Sequence, residues 1–330
     1  MPRLKRADCS GPGIQRRRCG RGFTYVDGEG NRVEDAGLME RITGLVIPPA
    51  WREVWICPDP NGHIQATGID EAGRKQYLYH DRWTERQSGR KFGSMVEFAR
   101  SLPRIRSAVN RDLDSADASR DCACACAVRL IELASFRLGS EQYADENETY
   151  GVATILRSQV TRAADGSLAF GFPGKGSQML RVKVADSQVL TATAPMLRRR
   201  SGPEDFLVFR STTGWADLRS EMVNDYLRTH SNEQVTAKDF RTWNGSVEAA
   251  VFLSRAPMPS AKRGRERVIR EAVHAVSESL ANTPAVARNS YIDPRILDRF
   301  RSGETIARSK RTKPRKGLSV AERRVLDLIG

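Results

Sequence analysis

The 330-residue sequence predicts an α+β protein. A small β-rich N-terminal domain precedes a larger, mainly α domain that carries a small sheet. Three observations predict this. Alternating apolar runs and turn-forming residues crowd 23–83. Helical apolar stripes dominate from residue 122 onward. One alternating pair, 168–172 and 180–184, interrupts those stripes. The division expected is a basic arm at 1–22, the β-rich domain at 23–83, the larger domain at 84–300 and a basic tail with a short helix at 301–330.

In the first domain, Phe23–Val26 leads into an Asp-Gly-Glu-Gly turn. Val54–Ile56 and His63–Ala66 flank Pro58–Gly62, a hairpin signal. Lys75–His80 alternates, so Lys75, Tyr77 and Tyr79 share one face. The charged, helix-patterned stretch 84–113 links the two lobes. Beyond it, Val128, Leu130, Ile131, Leu133 and Ala134 form a core-facing stripe ended near Gly139. Residues 168–184 read as a hairpin with Lys175 near its tip. Leu218, Met222, Val223, Tyr226 and Leu227 mark a further helix. Thr236 and Asp239 form a variant capping box opening a helix to about Ser254, with Arg241, Asn244 and Glu248 on one face. Ile269 to Leu280 is another helical stripe. Thr283 and Pro284 then start a helix that puts Tyr291 about two turns on.

The net charge is +14, which argues for a polyanionic partner, since Lys and Arg displace condensed counterions from nucleic acid. Hydrophobic residues make up 39%, enough for a core in each domain. No apolar run reaches membrane-spanning length, and the Arg-rich start lacks a signal-peptide h-region. A cytosolic protein of bacterial type, with no membrane partner, is expected. Cys122, Cys124 and Cys126 have a spacing that fits no usual zinc site. They open an apolar helical stretch, where Cys acts as a small hydrophobe.

The chemistry lies in three spaced basic segments and a late tyrosine: Arg137, Lys175, Arg241 and then Tyr291. Breaking a phosphodiester without metal needs fixed cations on the non-bridging oxygens, a proton donor for the leaving alkoxide and a positioned nucleophile. Arg suits the clamp, Lys the donor, and a phenol beside guanidinium groups the nucleophile. No phosphate-cradling Gly-rich loop or acidic metal cluster is evident, so neither ATP nor a metal is expected as cofactor. Taken singly, Arg137 reads as a helix-end surface arginine, Lys175 as a solvated turn lysine, and Tyr291 as an amphipathic core residue. Only the joint pattern points to catalysis.

Six segments carry a family resemblance: Pro48–Trp51 (PPAW), Gln65–Gly68 (QATG), Gly73–Tyr77 (GRKQY), Phe136–Tyr143 (FRLGSEQY), Ala237–Trp243 (AKDFRTW) and Asn282–Tyr291 (NTPAVARNSY). Over residues 14–295 the chain resembles the bacterial, poxvirus-like type IB DNA topoisomerases. The resemblance implies the fold shared by these enzymes and the tyrosine recombinases. It also implies a reversible nick through a 3′-phosphotyrosyl link, with strand rotation and religation, by a monomer closing two lobes around duplex DNA in the bacterial nucleoid. By position it implies Tyr291 as nucleophile, Arg137 and Arg241 as the phosphate clamp, Lys175 as general acid and Lys238 as a second active-site lysine. Asn282 stands where viral and eukaryotic relatives carry His. Arg74, Lys75, Gln76, Tyr77, Tyr79 and, from the larger lobe, Tyr143 match DNA-contacting segments. Ile69 stands where relatives usually carry Arg. Asn244 and Glu248 replace small or apolar residues, and Glu248 would put a carboxylate near a DNA-binding helix.

Two other functions fit parts of this pattern. A tyrosine recombinase uses the same Arg, Lys, Arg and Tyr, but its second arginine lies in His-x-x-Arg, whereas Lys238 opens the box here. A non-catalytic DNA-binding protein would have no use for the Tyr291 set.

Overall fold

The computed structural model describes residues 3–139, 144, 148–175, 178–231, 234–306 and 317–330. The chain divides into two compact units, one up to Lys91 and one from Phe92. Each has its own buried apolar cluster.

The first unit is a five-stranded antiparallel sheet in the order β2-β1-β3-β4-β5. Its strands are β1 (Ile14–Cys19), β2 (Gly22–Val26), β3 (Arg52–Ile56), β4 (Ile64–Ile69) and β5 (Lys75–Tyr79). Helix α1 (Ala36–Gly44), which the sequence reading did not pick out, is capped by the Asp35 carboxylate. Its Ile42 joins Ile14, Val54, Ile56 and Ala66 in the core.

One correction concerns the N terminus. Residues 14–19, read as part of a basic arm, form an interior strand, because Ile14 is buried and Arg16 has fixed partners. The Arg16 guanidinium donates to the carbonyls of Ile47, Pro48 and Trp51, and lies 4.1 Å from the Phe23 ring centroid. Its charge is spent on structure. Strand β5 lies at the sheet edge and alternates, leaving Lys75, Tyr77 and Tyr79 exposed.

Helix α2 (Asp81–Gly93) spans the boundary, and α3 (Met95–Ser115) follows it. The second unit is built around α4 (Arg120–Ala134), which packs against α3, α5 (Ser187–Arg198), α6 (Ser220–Thr229) and α7 (Ala237–Arg255). A helix surrounded on so many sides must be apolar nearly all round. Cys122, Cys124 and Cys126 serve as small core residues there, all free and buried. A three-stranded antiparallel sheet, β6 (Val160–Arg162), β7 (Leu168–Pro173) and β8 (Met179–Val184), packs its Phe170 and Phe172 against Phe136. The short hairpin of β9 (Val208–Ser211) and β10 (Gly214–Asp217) completes the strands described. Then come α8 (Lys262–Ser279), α9 (Pro284–Ser290), α10 (Pro294–Arg301) and α11 (Val320–Ile329).

The short C-terminal helix expected in the basic tail is present, and it packs inward: Leu318, Val325, Leu326 and Ile329 are buried in the main core. Its buried Glu322 carboxylate accepts from Trp243 Nε1 on α7 at 3.1 Å and pairs with Arg106 on α3 at 2.6 Å. The basic run 310–316 lies outside the described residues.

Candidate active site

Two helix ends build the site. Helix α4 stops at Ser135 and α8 stops at Leu280, and the residues that turn the chain there, Ser135 and Ala281, are left-handed, with φ of 51° and 48°. Neither is glycine, so each costs roughly 1–2 kcal/mol in backbone strain. The terminal carbonyls thus turned inward receive the two arginines.

Arg241, on the first turns of α7, is 4% exposed. Its Nη1 donates to the Ser135 carbonyl and its Nη2 to the Leu280 carbonyl, the latter at 2.7 Å. Arg137 lies in the segment just after α4, and its Nη2 donates to the Ala281 carbonyl at 3.1 Å and to Asn282 Oδ1 at 2.6 Å. Asn282 in turn donates from Nδ2 to the Leu280 carbonyl at 3.1 Å. The negative ends of two helix dipoles therefore hold the cations in place.

Burial lowers the Arg241 pKa from its usual value, and the neighbouring positive charge of Arg137 lowers it further; Tyr291 opposes both. An arginine stays charged through such a shift. Among the described residues no carboxylate pairs with Arg137 or Arg241, and the buried Nε of Arg241 has no hydrogen-bond partner. Two guanidinium groups crowded together without a counter-anion make a receptor for one.

Tyr291 belongs to the same cluster: its ring centroid lies 5.2 Å from the Arg241 guanidinium carbon. The local chain places it as the sequence predicts. Thr283 Oγ1 accepts from Val286 N–H, Pro284 opens α9, and Tyr291 closes it with its N–H on the Ala287 carbonyl.

Arg137 is fixed from its other side by close backbone packing. Val152 N–H donates to the Arg137 carbonyl at 2.8 Å, and Gly139 and Gly151 meet where a Cβ on Gly151 would lie 2.3 Å from Gly139 N. Tyr150 N–H donates to the Pro173 carbonyl at 2.9 Å, which ties this segment to the end of β7. Lys175 follows β7 in the connection to β8, exposed and without a hydrogen bond or ion pair to the Arg137–Arg241–Tyr291 cluster. Lys238, one turn before Arg241, is likewise exposed. Tyr143 lies outside the described residues.

Asn244 and Glu248 point inward with Arg241. Asn244 Nδ2 donates to the Glu132 carbonyl and to Ser135 Oγ, and so ties down the end of α4 that receives Arg241. Glu248 is half-buried. Burial raises its carboxyl pKa, and a hydrogen bond with Ser279 partly offsets this. That hydrogen bond ties the carboxyl to the end of α8. The carbonyls of Ser135, Leu280 and Ala281 escaped sequence reading because every residue type carries one.

In the first unit, Tyr77 and Tyr79 are 43% and 46% exposed and stack at 6.1 Å. Lys75 Nζ lies 5.9 Å from the Tyr77 ring centroid. Arg74 and Gln76 both bond Asp70, at 3.0 and 2.8 Å, so their side chains are held by the turn between β4 and β5. Ile69 ends β4 opposite Lys75.

Comparison with known proteins gives the family. The family model described as eukaryotic DNA topoisomerase I, catalytic core, matches residues 80–315, and that of the bacterial DNA topoisomerase IB N-terminal domain matches residues 22–70. The chain is 28% identical to DNA topoisomerase 1B of Acanthamoeba polyphaga mimivirus over 88% of each chain. It is 23% identical to DNA topoisomerase 1B of vaccinia virus (strain Copenhagen) over 70% of each. It is 30% identical to DNA topoisomerase 1 beta of Arabidopsis thaliana over 46% of this chain and 16% of that one. With a catalytic-core match over most of its length, the chain belongs to the type IB DNA topoisomerase family and is a DNA topoisomerase in function.

Proposed function

We propose that this chain relaxes duplex DNA by transesterification at Tyr291. The observation that carries the reading is the guanidinium pair, Arg137 and Arg241, crowded beside the Tyr291 ring with no carboxylate among the described residues paired to either. A scissile phosphate takes the place of the missing anion, and its non-bridging oxygens accept from the two guanidiniums. The Tyr291 oxygen attacks phosphorus and gives up its proton to solvent water. The bond from phosphorus to the 5′ oxygen breaks, and a proton from Lys175 converts that oxygen to a hydroxyl. The DNA is then held by a 3′-phosphotyrosyl link while the free end rotates. Religation reverses each transfer, with the 5′ hydroxyl as nucleophile and Tyr291 as leaving group.

Asn282 acts through Arg137 in this scheme. Its Oδ1 accepts from Arg137 and its Nδ2 donates to Leu280, so it aligns the clamp. Lys238 stays near the phosphate as a second ammonium, and Lys175 enters from its hairpin when DNA is bound. Lys75, Tyr77 and Tyr79 supply a DNA-contacting face on the first unit, and Tyr143 another contact on the second. The enzyme works as a monomer on the chromosome of a bacterial cell.

The test is plasmid relaxation in EDTA without ATP. Wild-type protein should relax the plasmid and leave a protein–DNA adduct on denaturation, and Tyr291→Phe should do neither while still binding DNA. An adduct formed by Tyr291→Phe would overturn the assignment. Lys175→Ala should slow cleavage of an ordinary strand but largely spare one with a 5′-bridging sulfur, whose leaving group needs no proton. Equal slowing of both would remove Lys175 from the acid role.

A further inference from the structure

A helix interior is a poor place for glycine, yet α7 carries Gly245 followed by Ser246 in its middle. Both face the nucleophile's own backbone. A Cβ on Gly245 would lie 2.7 Å from the Tyr291 carbonyl oxygen and 3.3 Å from Tyr291 Cβ, so only glycine lets the helix come this close. Ser246 is fully buried. Its hydroxyl donates to the Tyr291 carbonyl at 3.3 Å and accepts from Asp293 N–H at 2.9 Å. One hydroxyl thus bridges both sides of the turn 291–293.

The far side of that turn is anchored as well. Asp293 is fully buried and pairs with Arg295 at 2.7 Å. Arg295 also donates to the Ile329 carbonyl at 2.7 Å, at the end of the last helix, and to the Phe92 carbonyl at 2.7 Å. The Tyr291 backbone is therefore held between α7 and α11. Helix α7 also carries Arg241, four residues before Gly245. One rigid element sets both the phosphate clamp and the attacking residue.

We infer that Ser246 is a positioning residue for Tyr291: its hydroxyl fixes the Tyr291–Asp293 turn against α7, so that the phenol oxygen and the Arg241 guanidinium keep a constant separation. This rests on the reading of Tyr291 as nucleophile. Ser246 has no route to the phosphate itself. Its loss should change the rate of attack and leave the affinity for DNA alone.

The test is single-turnover cleavage of a duplex by Ser246→Ala, measured beside equilibrium DNA binding and thermal melting. Binding should stay within about twofold of wild type, and cleavage and religation should both slow by about tenfold or more, since a small misplacement of reacting atoms is costly. A 5′-bridging sulfur should not restore the rate, because the leaving group is not at fault. Ser246→Cys, which keeps the volume and a weak donor, should recover part of the loss; it also replaces Ser246→Ala if that variant does not fold. Wild-type cleavage by Ser246→Ala would overturn the inference. So would a cleavage loss matched by an equal loss of binding. If the wild-type protein formed no adduct, the nucleophile reading would fail first and take this one with it. An adduct from wild type with undiminished cleavage by Ser246→Ala would remove Ser246 alone.

Discussion

The proposed phosphate site is held through backbone carbonyls, and this makes side-chain shape matter more than charge. Arg241 reaches Ser135 and Leu280 with two separate nitrogens of one planar fork. A lysine brings one ammonium and cannot span both carbonyls. Arg241→Lys should therefore lower single-turnover cleavage by about a hundredfold or more, the scale for losing an oriented charge on the transition state. A rate close to wild type would mean that charge alone suffices. Asn282→Ala should have a smaller effect of the same kind, about tenfold, because Arg137 keeps its bond to the Ala281 carbonyl when the Asn282 bond is gone. Ala281 itself sits at φ 48°. Relief of that strain exceeds the added freedom of the unfolded chain, so glycine there should raise stability by about 0.5–1 kcal/mol on thermal melting, and a lowered melting temperature would refute this.

At the scale of elements, the last helix matters through one buried carboxylate. Burial disfavours the charge on Glu322, but the Arg106 hydrogen bond and charge, the Ser319 N–H and Trp243 more than offset it, so its pKa is lowered. Arg106 also pairs with Glu132 on α4 at 2.5 Å, so three helices meet at this guanidinium. A carboxyl with a depressed folded pKa adds stability that is complete above its unfolded value. That stability is lost as pH falls through the folded value. Glu322→Gln should therefore destabilise the protein by about 1.5–2 kcal/mol at neutral pH, the scale for losing one charged hydrogen bond while Arg106 keeps Glu132. Urea melts should show the gap to wild type narrowing as pH drops below about 4. A gap that stays constant to pH 3 would refute the ion-pair account.

Much at this scale was legible in the sequence. The alternation at β5 and at β7–β8, the Thr283–Pro284 helix start and the apolar stripes of α4, α6 and α8 are local patterns, and local patterns survive folding. What was not legible depends on distant partners. Residues 14–19 look like a basic arm until the carbonyls of 47, 48 and 51 are seen to bind Arg16. Helix α5 was missed because Pro195 inside it, with the β-branched Thr191 and Thr193, argues against a helix. Residues 320–329 read as a tail helix because Glu322 and its basic neighbours mask an apolar face. The roles proposed for Arg137, Arg241 and Tyr291 can be argued from residue type. Their supports at Ser135, Asn244 and Ser246 cannot.

For the whole molecule, the net charge of +14 and the two separate cores combine into one prediction. Binding to duplex DNA should weaken linearly in log–log terms as salt rises, with a slope set by the number of phosphates neutralised. The second unit has its own large core and should fold without the first, as a single cooperative transition for residues 92–330. That fragment keeps Arg137, Lys175, Arg241 and Tyr291 but loses Lys75 and the exposed Tyr77–Tyr79 stack. It should still form the covalent adduct at low salt, bind more weakly than the full chain, and show a shallower salt slope. The missing slope counts the phosphate contacts made by the first unit. Lys75→Ala in the full chain should recover about one contact's worth of that difference. The aromatic pair should behave otherwise. Stacking on bases or sugars releases few counterions, so Tyr77→Ala with Tyr79→Ala should lower affinity at every salt concentration and leave the slope unchanged. Equal slopes for fragment and full chain would show that the β5 face neutralises no phosphate. The DNA-binding charge would then lie entirely in the second unit.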